Sequence, residues 1–299
     1  MSTNVQRKGL RNLSSAITSG ITIRTMEVAD IPDGMRLRET AGWNQTETDW
    51  RRLLALEPLG CFVACEGNRV RGTVTTLQYE KCFGWIGMLL TDPQARRRGI
   101  GTNLLHRAVS YLECNGVETL RLDGTPMGYD LYLRHGFVDE YEIQRWEGIS
   151  TVQTGKGLPP VRASDLDLIC TWDRQIFGAD RSRLIASLWK ENPFCSAIAH
   201  LAGEIAGYVL WRPGAHAWSL GPCLATTAEL AEMLLMEVLS RVPGEPVFVD
   251  ICMKNAWALD LLKPLGFRYQ RPLVRMYRGP HSCPGEPQFV CAIAGPELG

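Results

Sequence analysis

The first half of this chain recurs in the second half, and this repeat limits the possible folds more than any other feature of the sequence. Three pairs of segments share their order of apolar, polar and glycine positions: 23–30 with 161–167, 69–75 with 204–210, and 131–137 with 261–267. The spacing within each pair is about 135 residues, the size of an ordinary domain. The sequence therefore predicts two structural units of one kind rather than one large domain.

Composition indicates where the two units begin and end. Residues 1–20 are rich in Ser, Thr and Asn and have no periodicity, so we predict a flexible tail. The first unit is predicted at 21–150 and the second at 161–279, joined by a Gly- and Pro-rich linker at 151–160. Residues 280–299 are predicted to be a C-terminal tail.

Charge and cysteine content argue against several classes of function. The 299 residues contain 32 Lys and Arg and 32 Asp and Glu, so no overall positive charge favours nucleic acid or an anionic membrane. None of the ten cysteines forms a Cys-x-x-Cys pair or a zinc-type cluster, so we expect no metal and reduced, buried thiols. With neither a long apolar span nor a signal-type apolar segment, a cytoplasmic protein is expected.

Apolar periodicity predicts an α/β (α+β) fold class. Alternating or continuous apolar runs indicate strands, and a spacing of three to four residues between apolar positions indicates helices. In the first unit we predict strands at 21–24, 62–65, 71–77, 85–91 and 119–123, and helices at 46–57, 102–114 and 127–135.

A loop rich in arginine and glycine connects the predicted strand at 85–91 to the amphipathic helix predicted at 102–114. Arg96, Gly99 and Gly101 form the pattern Arg-x-x-Gly-x-Gly directly after a strand. Glycines let the backbone approach a bound group closely, and the helix start adds unpaired N–H groups and the positive end of its dipole. The pattern predicts an anion site large enough for a pyrophosphate. A surface turn with solvated arginines is the alternative.

This loop resembles the cofactor-binding motif of the GCN5-related N-acetyltransferase (GNAT) superfamily, and the resemblance covers about 21–148. It implies two tandem GNAT folds, each a mixed, mostly antiparallel twisted sheet flanked by helices. It also implies acetyl-CoA as co-substrate, with its pyrophosphate held by the loop amides. The residues that the resemblance assigns to the cofactor are Leu89, Leu90, Thr91, Arg96, Arg97, Arg98, Gly99, Ile100, Gly101, Thr102, Thr125 and Tyr132.

The resemblance also implies a catalytic acid near the end of the first unit. Leu131-Tyr132 and the closing Gly136-Phe137 match the family pattern, so Tyr132 stands where many members protonate the leaving CoA thiolate. Thr125 departs from the pattern, because the family usually has Asn there. Without the resemblance, Tyr132 would be interpreted as a helix tyrosine packed in the core.

The second unit lacks the features that carry chemistry in the first. Its equivalent segment, 218–230, has no Arg-x-x-Gly-x-Gly loop, and Leu262 stands at the position of Tyr132. The chain as a whole resembles bacterial two-domain acetyltransferases with an active N-terminal and a degenerate C-terminal unit. We therefore expect the second unit to complete the substrate site or a subunit interface.

The base and the acceptor pocket are less well defined by the sequence. A backbone N–H near Leu89 or Leu90 is expected to bind the developing oxyanion. Two carboxylates are candidates for the general base, Glu80 by resemblance and Asp123 as its rival, although either could be a solvated or capping carboxylate. The residues expected to line the acceptor pocket are Trp43, Asn44 and Gln45.

These inferences together predict an N-acetyltransferase that moves an acetyl group from acetyl-CoA to a primary amine of a small molecule by direct attack. Two alternatives stay open: a protein or peptide amine acetyltransferase, and a non-catalytic module that binds or senses acyl-CoA. The expected partner is the small-molecule amine, with a homodimer as a further possibility. Neither nucleic acid nor membrane is expected as a partner.

Overall fold

A computed structural model describes residues 20–299 of the chain. The flexible tail predicted at 1–20 lies outside the described residues, except for Gly20.

The described residues form twelve strands and eight α-helices. The strands are β1 (Ile21–Thr25), β2 (Phe62–Glu66), β3 (Arg69–Tyr79), β4 (Phe83–Thr91), β5 (Leu120–Gly124), β6 (Val138–Ile149), β7 (Ser196–Leu201), β8 (Glu204–Arg212), β9 (Trp218–Ala225), β10 (Pro246–Cys252), β11 (Arg268–Arg278) and β12 (Val290–Ala292). The helices are α1 (Ile31–Thr40), α2 (Glu47–Leu56), α3 (Ile100–Cys114), α4 (Tyr129–Arg134), α5 (Leu166–Phe177), α6 (Ser182–Glu191), α7 (Ala228–Arg241) and α8 (Ala258–Leu262).

The strands join into a single mixed sheet in the described part of the chain. Its order is β1-β2-β3-β4-β5-β11-β6-β10-β12-β9-β8-β7, so the two repeats occupy its two ends. Most neighbours are antiparallel, whereas β4 with β5 and β10 with β9 are parallel. This mixed and mostly antiparallel sheet confirms the predicted fold class.

The two halves exchange strands at the middle of the sheet. β11 of the second half pairs with both β5 and β6 of the first half. β6 in turn pairs on its other side with β10 of the second half, over seven residue pairs from Pro246–Ile149 to Cys252–Ile143. The residues predicted as a linker, 151–160, form no helix or strand. The two halves are nevertheless joined into one sheet, because β6 of the first half forms backbone hydrogen bonds with β10 and β11 of the second half.

The apolar core crosses between the halves as well. Trp50 and Trp85 of the first half belong to the same buried cluster as Phe177 and Tyr208 of the second half. Because each of these side chains is less than a tenth exposed, separating the halves would expose a large apolar area and cost hydrophobic stabilisation.

The end of the chain is ordered and buried, so residues 280–299 do not form a loose tail. β12 pairs with β9 and β10, and the residues after it are covered, with Leu298 fully buried and Glu297 2% exposed. The apolar residues from Val290 to Ala294 explain this burial, because they gain hydrophobic free energy by packing between strands.

No helix among residues 20–299 combines the length and the apolar character that crossing a membrane requires.

Candidate active site

The cavity that contains the cofactor motif opens between β4 and β5. These two strands pair only at Gly84–Leu120 and Trp85–Arg121 and then diverge. The resulting cavity has a volume of about 960 Å³ and is lined on one side by Ile86 through Thr91 of β4. Parallel strands that separate in this way leave backbone groups without sheet partners, which a bound molecule can use.

A β-bulge turns the backbone of β4 toward this cavity. Gly87 pairs with Thr75 and Leu90 with Thr73, so Met88 and Leu89 together face a single residue of β3. Met88 has a positive φ of 48°, and its carbonyl oxygen accepts a hydrogen bond of 2.8 Å from the Thr73 hydroxyl. Bulges of this kind often redirect backbone groups next to active sites. Leu89 and Leu90, predicted to provide the oxyanion donor, both line the cavity here.

The glycine loop after β4 leads directly into α3. Gly99 is the residue before the helix and has a φ of 76°, a conformation that a residue with a side chain adopts only at a cost. A β-carbon on Gly101 would lie 3.4 Å from the Thr91 hydroxyl oxygen. Gly99 through Thr102 all line the cavity, so the start of α3, with its N–H groups that have no partner within the helix, lies at the cavity wall, as an anion site requires.

Close packing of α3 on the sheet fixes the position of this helix start. The apolar face of α3 is buried along its whole length and includes Ile100 and Leu104. Both side chains pass over Gly72 of β3, where a β-carbon would come within 2.9 Å of each. A glycine is required at 72 because the helix could not otherwise approach the strand so closely.

Three arginines of the loop take two different positions. Arg96 and Arg97 line the cavity, and no carboxylate within the described residues forms an ion pair with either of them. Arg98 instead lies outside the lining and donates a 2.8 Å hydrogen bond to Glu66. The structure thus brings every residue predicted to contact the cofactor to one cavity, except Arg98.

Tyr132 lies in α4 and lines the cavity. Its side chain is 8% exposed, and no group in residues 20–299 forms a hydrogen bond with its hydroxyl. A β-carbon at Gly128 would lie 2.9 Å from its ring and 3.2 Å from its hydroxyl oxygen, so a glycine is needed there. Burial raises the pKa of Tyr132 far above its ordinary value. The phenol therefore stays protonated, as an acid must before it reacts.

The two predicted base candidates lie in different places. Glu80, in the turn between β3 and β4, does not line the cavity and instead forms a 2.9 Å ion pair with Arg174. Asp123 does line the cavity, but Arg275 donates to both of its carboxylate oxygens at 2.9 and 3.0 Å. Burial raises the pKa of Asp123, and Arg275 opposes that shift. Glu80 is thus too remote for the predicted role, and Asp123 is committed to a neighbouring side chain.

The three residues predicted for the acceptor pocket divide between two tasks. Trp43 and Gln45 line the cavity. Asn44 instead donates a 2.9 Å hydrogen bond to the carbonyl oxygen of Ala217 and accepts one from its N–H at 3.1 Å. Asn44 therefore joins the two halves of the chain rather than facing the cavity.

Several residues that line the acceptor end of the cavity come from parts of the chain that the sequence patterns did not connect with it. They are Arg145, Arg271, Leu273, Pro296 and Glu297. The exchange of β6 and β11 and the burial of the C-terminus bring them there. Because these contacts join distant parts of the chain, no local spacing in the sequence could have indicated them.

In the second half, the equivalent opening is filled by the chain itself. β9 and β10 pair in parallel as far as Leu220–Val249, and β12 then lies between them, with Ala292 paired to Cys223 on one side and Ile251 on the other. The cavity left at this position has a volume of about 20 Å³. A bound cofactor would have to displace β12, so the second half has no room for one.

A diverging pair of parallel strands, a bulge and a glycine loop before a helix define the chain as an acyltransferase with two units of one fold. The family described as "Acetyltransferase (GNAT) family" matches residues 30–137, and "Acetyltransferase (GNAT) domain" matches residues 169–290. The chain belongs to the GCN5-related N-acetyltransferase superfamily and carries two GNAT units in tandem.

Similarity to relatives and solved structures extends along most of this chain. The holothin acyltransferase of Pseudoalteromonas sp. (strain SANK 73390) is 26% identical over 260 residues, which is 86% of this chain and 87% of the relative. A putative acetyltransferase from Pyrococcus horikoshii has a TM-score of 0.81 at 23% identity and covers 96% of this chain and 98% of its own. A tandem GNAT protein from the clavulanic acid biosynthesis pathway has a TM-score of 0.61 at 15% identity. The match covers 87% of this chain and 98% of that protein. The structural similarities show the shared fold.

Proposed function

We propose that the protein is an N-acetyltransferase that transfers the acetyl group of acetyl-CoA to a primary amine of a small molecule. One observation carries the proposal. A single cavity connects the glycine loop and the start of α3 to a pocket that residues of the second half enclose, and the bulged segment of β4 lies between them. This is the layout of a site in which a long nucleotide thioester meets a small acceptor.

The residues of the loop fit the diphosphate of acetyl-CoA. The N–H groups at the start of α3, beginning after Gly99, would bind its oxygens, and Arg96 and Arg97 would supply positive charge without having to leave a protein partner. Acetyl-CoA, when bound, supplies an activated thioester. Thr91 and Thr125 also line this end of the cavity and offer hydroxyl groups to the cofactor.

Two groups that line the cavity can act on the reacting atoms. A backbone N–H of Leu89 or Leu90, made available by the bulge, would donate to the carbonyl oxygen as negative charge develops on it. Tyr132, protonated because it is buried, would donate its proton to the departing sulfur. Leu89, Leu90 and Tyr132 all line the cavity, which supports both roles.

The shape of the acceptor end favours a small molecule over a peptide. Pro296 and Glu297 from the C-terminus line the cavity together with Trp43 and Gln45, and the side-chain amide of Gln45 donates a hydrogen bond to Glu297. An extended peptide would need an open groove there, so modification of protein amines is the weaker alternative. The relative described as a holothin acyltransferase supports acyl transfer over mere sensing of acyl-CoA.

The test is a thiol-release assay of the purified full-length chain with acetyl-CoA against panels of amino acids, polyamines, amino sugars, aminoglycosides and peptides. Product mass must show one added acetyl group on nitrogen. Propionyl- and butyryl-CoA should be run in parallel to define the acyl length. Binding of acetyl-CoA without thiol release for every amine would contradict the proposal and support a sensing role.

A further inference from the structure

We propose that Glu297, carried into the acceptor end of the cavity by the last residues of the chain, accepts the proton of the incoming amine. This inference rests on the proposed function and assigns its general base. It differs from both bases expected from the sequence, because Glu297 comes from a segment that the repeat pattern does not include.

Three contacts with the first half fix the C-terminal segment around Glu297. The indole N–H of Trp85 donates a 3.0 Å hydrogen bond to the carbonyl oxygen of Pro296, and the hydroxyl of Tyr79 donates one of 2.5 Å to that of Leu298. Gly87 of the bulged strand lies against the backbone of Glu297 itself. The backbone that carries the Glu297 carboxyl group is therefore held beside the strand segment that would bind the acyl group.

The carboxylate of Glu297 is held by two hydrogen bonds and retains acceptor capacity. Arg212 donates to one oxygen at 3.0 Å, and the side-chain amide of Gln45 donates to the other at 2.6 Å. A carboxylate can accept about four hydrogen bonds, so these two side-chain donors leave acceptor capacity for a proton donor. The amide oxygen of Gln45 is buried and has no partner among the described residues, which gives the same ammonium group a second acceptor.

The linked ion pairs that include Glu297 contain one more carboxylate than guanidinium groups. Asp49, Glu191 and Glu297 share two guanidinium groups, those of Arg52 and Arg212. The adjoining pair of Arg145 and Asp250 is neutral overall. Burial raises the pKa of Glu297, Asp49 raises it further, and Arg212 opposes both effects. A carboxylate with a raised pKa is a better proton acceptor near neutral pH.

The proton balance of the reaction follows directly. The ammonium group of the acceptor gives one proton to Glu297, and the resulting amine attacks the thioester carbon. The C–N bond forms and the C–S bond breaks, while the sulfur takes a proton from Tyr132. The nitrogen then loses its second proton, which restores Tyr132, and Glu297 releases its proton to solvent. One proton is released overall for each amide and thiol formed.

The decisive experiment measures kcat/KM against pH for wild type, Glu297→Gln and Glu191→Gln. Glu297→Gln should reduce kcat/KM at pH 7 by about 10²- to 10⁴-fold. This deficit should shrink as the pH approaches the pKa of the free amine, because an already neutral amine needs no base. Glu191→Gln removes a carboxylate from the same ion-pair group but outside the cavity, and should leave the pH profile unchanged. Acetyl-CoA affinity should be unchanged in both variants.

Other outcomes separate this inference from the proposed function. An equal loss of kcat/KM for Glu297→Gln at every pH indicates a structural role and overturns the inference. Full activity of Glu297→Gln also overturns it. So does a Glu191→Gln variant with the same pH-dependent loss as Glu297→Gln. If wild type itself acetylates no amine, the proposed function fails and the assignment of a base fails with it.

A second inference concerns Arg271, and it rests on a different observation. We infer that Arg271 binds an anionic group of the acceptor, so that the substrate is a small amine that also carries a carboxylate. The side chain of Arg271 lines the cavity, its Nε is buried, and nothing within residues 20–299 forms a hydrogen bond or ion pair with it. Burial, with a smaller contribution from Arg145, lowers the pKa of Arg271 to about 10.

The arginines on either side of Arg271 already have partners. Arg145, its neighbour on β6, donates from two of its nitrogens to the two carboxylate oxygens of Asp250, at 2.8 and 2.6 Å. Arg275, further along β11, is bound by Asp123. A guanidinium that is mostly buried without a counter-ion is costly, and an anionic group on the acceptor would remove that cost.

The test compares an amino acid with its amide as acceptor, in wild type, Arg271→Met and Arg268→Met. Arg268 is an exposed arginine on the same strand, outside the cavity. Wild type should prefer the acid, and Arg271→Met should reduce kcat/KM for the acid at least about tenfold, with little change for the amide. Arg268→Met should retain the wild-type preference. A wild type that prefers neutral amines overturns this inference and leaves the proposed function intact.

Discussion

Gly87 and Glu297 are in contact through their backbones, although 210 positions of the chain separate them. A β-carbon on Gly87 would lie 3.0 Å from both the Cα and the carbonyl oxygen of Glu297. The bulged strand of the first half and the last residues of the second half therefore build the same wall of the cavity. A glycine at 87 is what allows this approach.

Gly87→Ala should displace the C-terminal segment and lower turnover without weakening acetyl-CoA binding. A methyl group forced against backbone cannot be accommodated by a rotamer change, and overpacking of this kind costs about 1–3 kcal/mol. Turnover and the calorimetric Kd for acetyl-CoA would be measured together. Gly84→Ala, on the same strand but against the side chain of Leu112, is the control for destabilisation alone. Equal turnover losses in the two variants would contradict the prediction.

Tyr132→Phe should lower kcat by about 10²- to 10⁴-fold and leave acetyl-CoA affinity nearly unchanged, because a proton donor acts mainly in the transition state. Steady-state kinetics and calorimetry measure the two effects. The control is Tyr129→Phe, because Tyr129 lies on the same helix as Tyr132 and its hydroxyl donates a hydrogen bond to Asp139 of β6. If Tyr132→Phe keeps full turnover across the pH range, this tyrosine is a packing residue.

Gly99→Asp should abolish acetyl-CoA binding, and wild type should bind one acetyl-CoA per chain. The substitution places a negative charge at an anion site and a β-carbon on a backbone with a φ of 76°. Gly116→Asp, with a φ of 80° and open space around it, introduces the same residue and similar backbone strain away from the loop. Titration calorimetry reports both stoichiometry and affinity. Two equivalent sites in wild type would show that β12 does not exclude a second cofactor.

Local patterns, together with the resemblance to the GNAT superfamily, were sufficient to predict the fold and much of the cofactor end of the cavity. Strand and helix periodicity, together with Gly99 and Gly101 after β4, lie within short stretches of sequence, so the elements and the loop could be inferred. The acceptor end could not, because it depends on the exchange of β6 and β11 and on the route of the C-terminus. Nothing near Arg271 or Glu297 in the sequence indicates which distant strand each would face.

The same exchange also limits what a shortened chain can do. A fragment of residues 1–152 retains β6 but loses both of its neighbours, β11 and β10. It also loses the second-half side chains that cover Trp50 and Trp85. Unpaired strand edges and exposed apolar surface promote aggregation, so we expect this fragment alone to be insoluble or unfolded.

Co-expression of residues 1–152 with residues 153–299 should restore a soluble 1:1 complex with acetyltransferase activity. Each fragment then supplies the strand that the other lacks, and the break falls at a segment without regular structure. Size-exclusion chromatography and the thiol-release assay measure assembly and activity. With Glu297→Gln in the second fragment, the complex should still form and bind acetyl-CoA. It should be inactive near neutral pH. Full activity from soluble residues 1–152 alone would show that neither the exchanged strand nor the C-terminal carboxylate is needed.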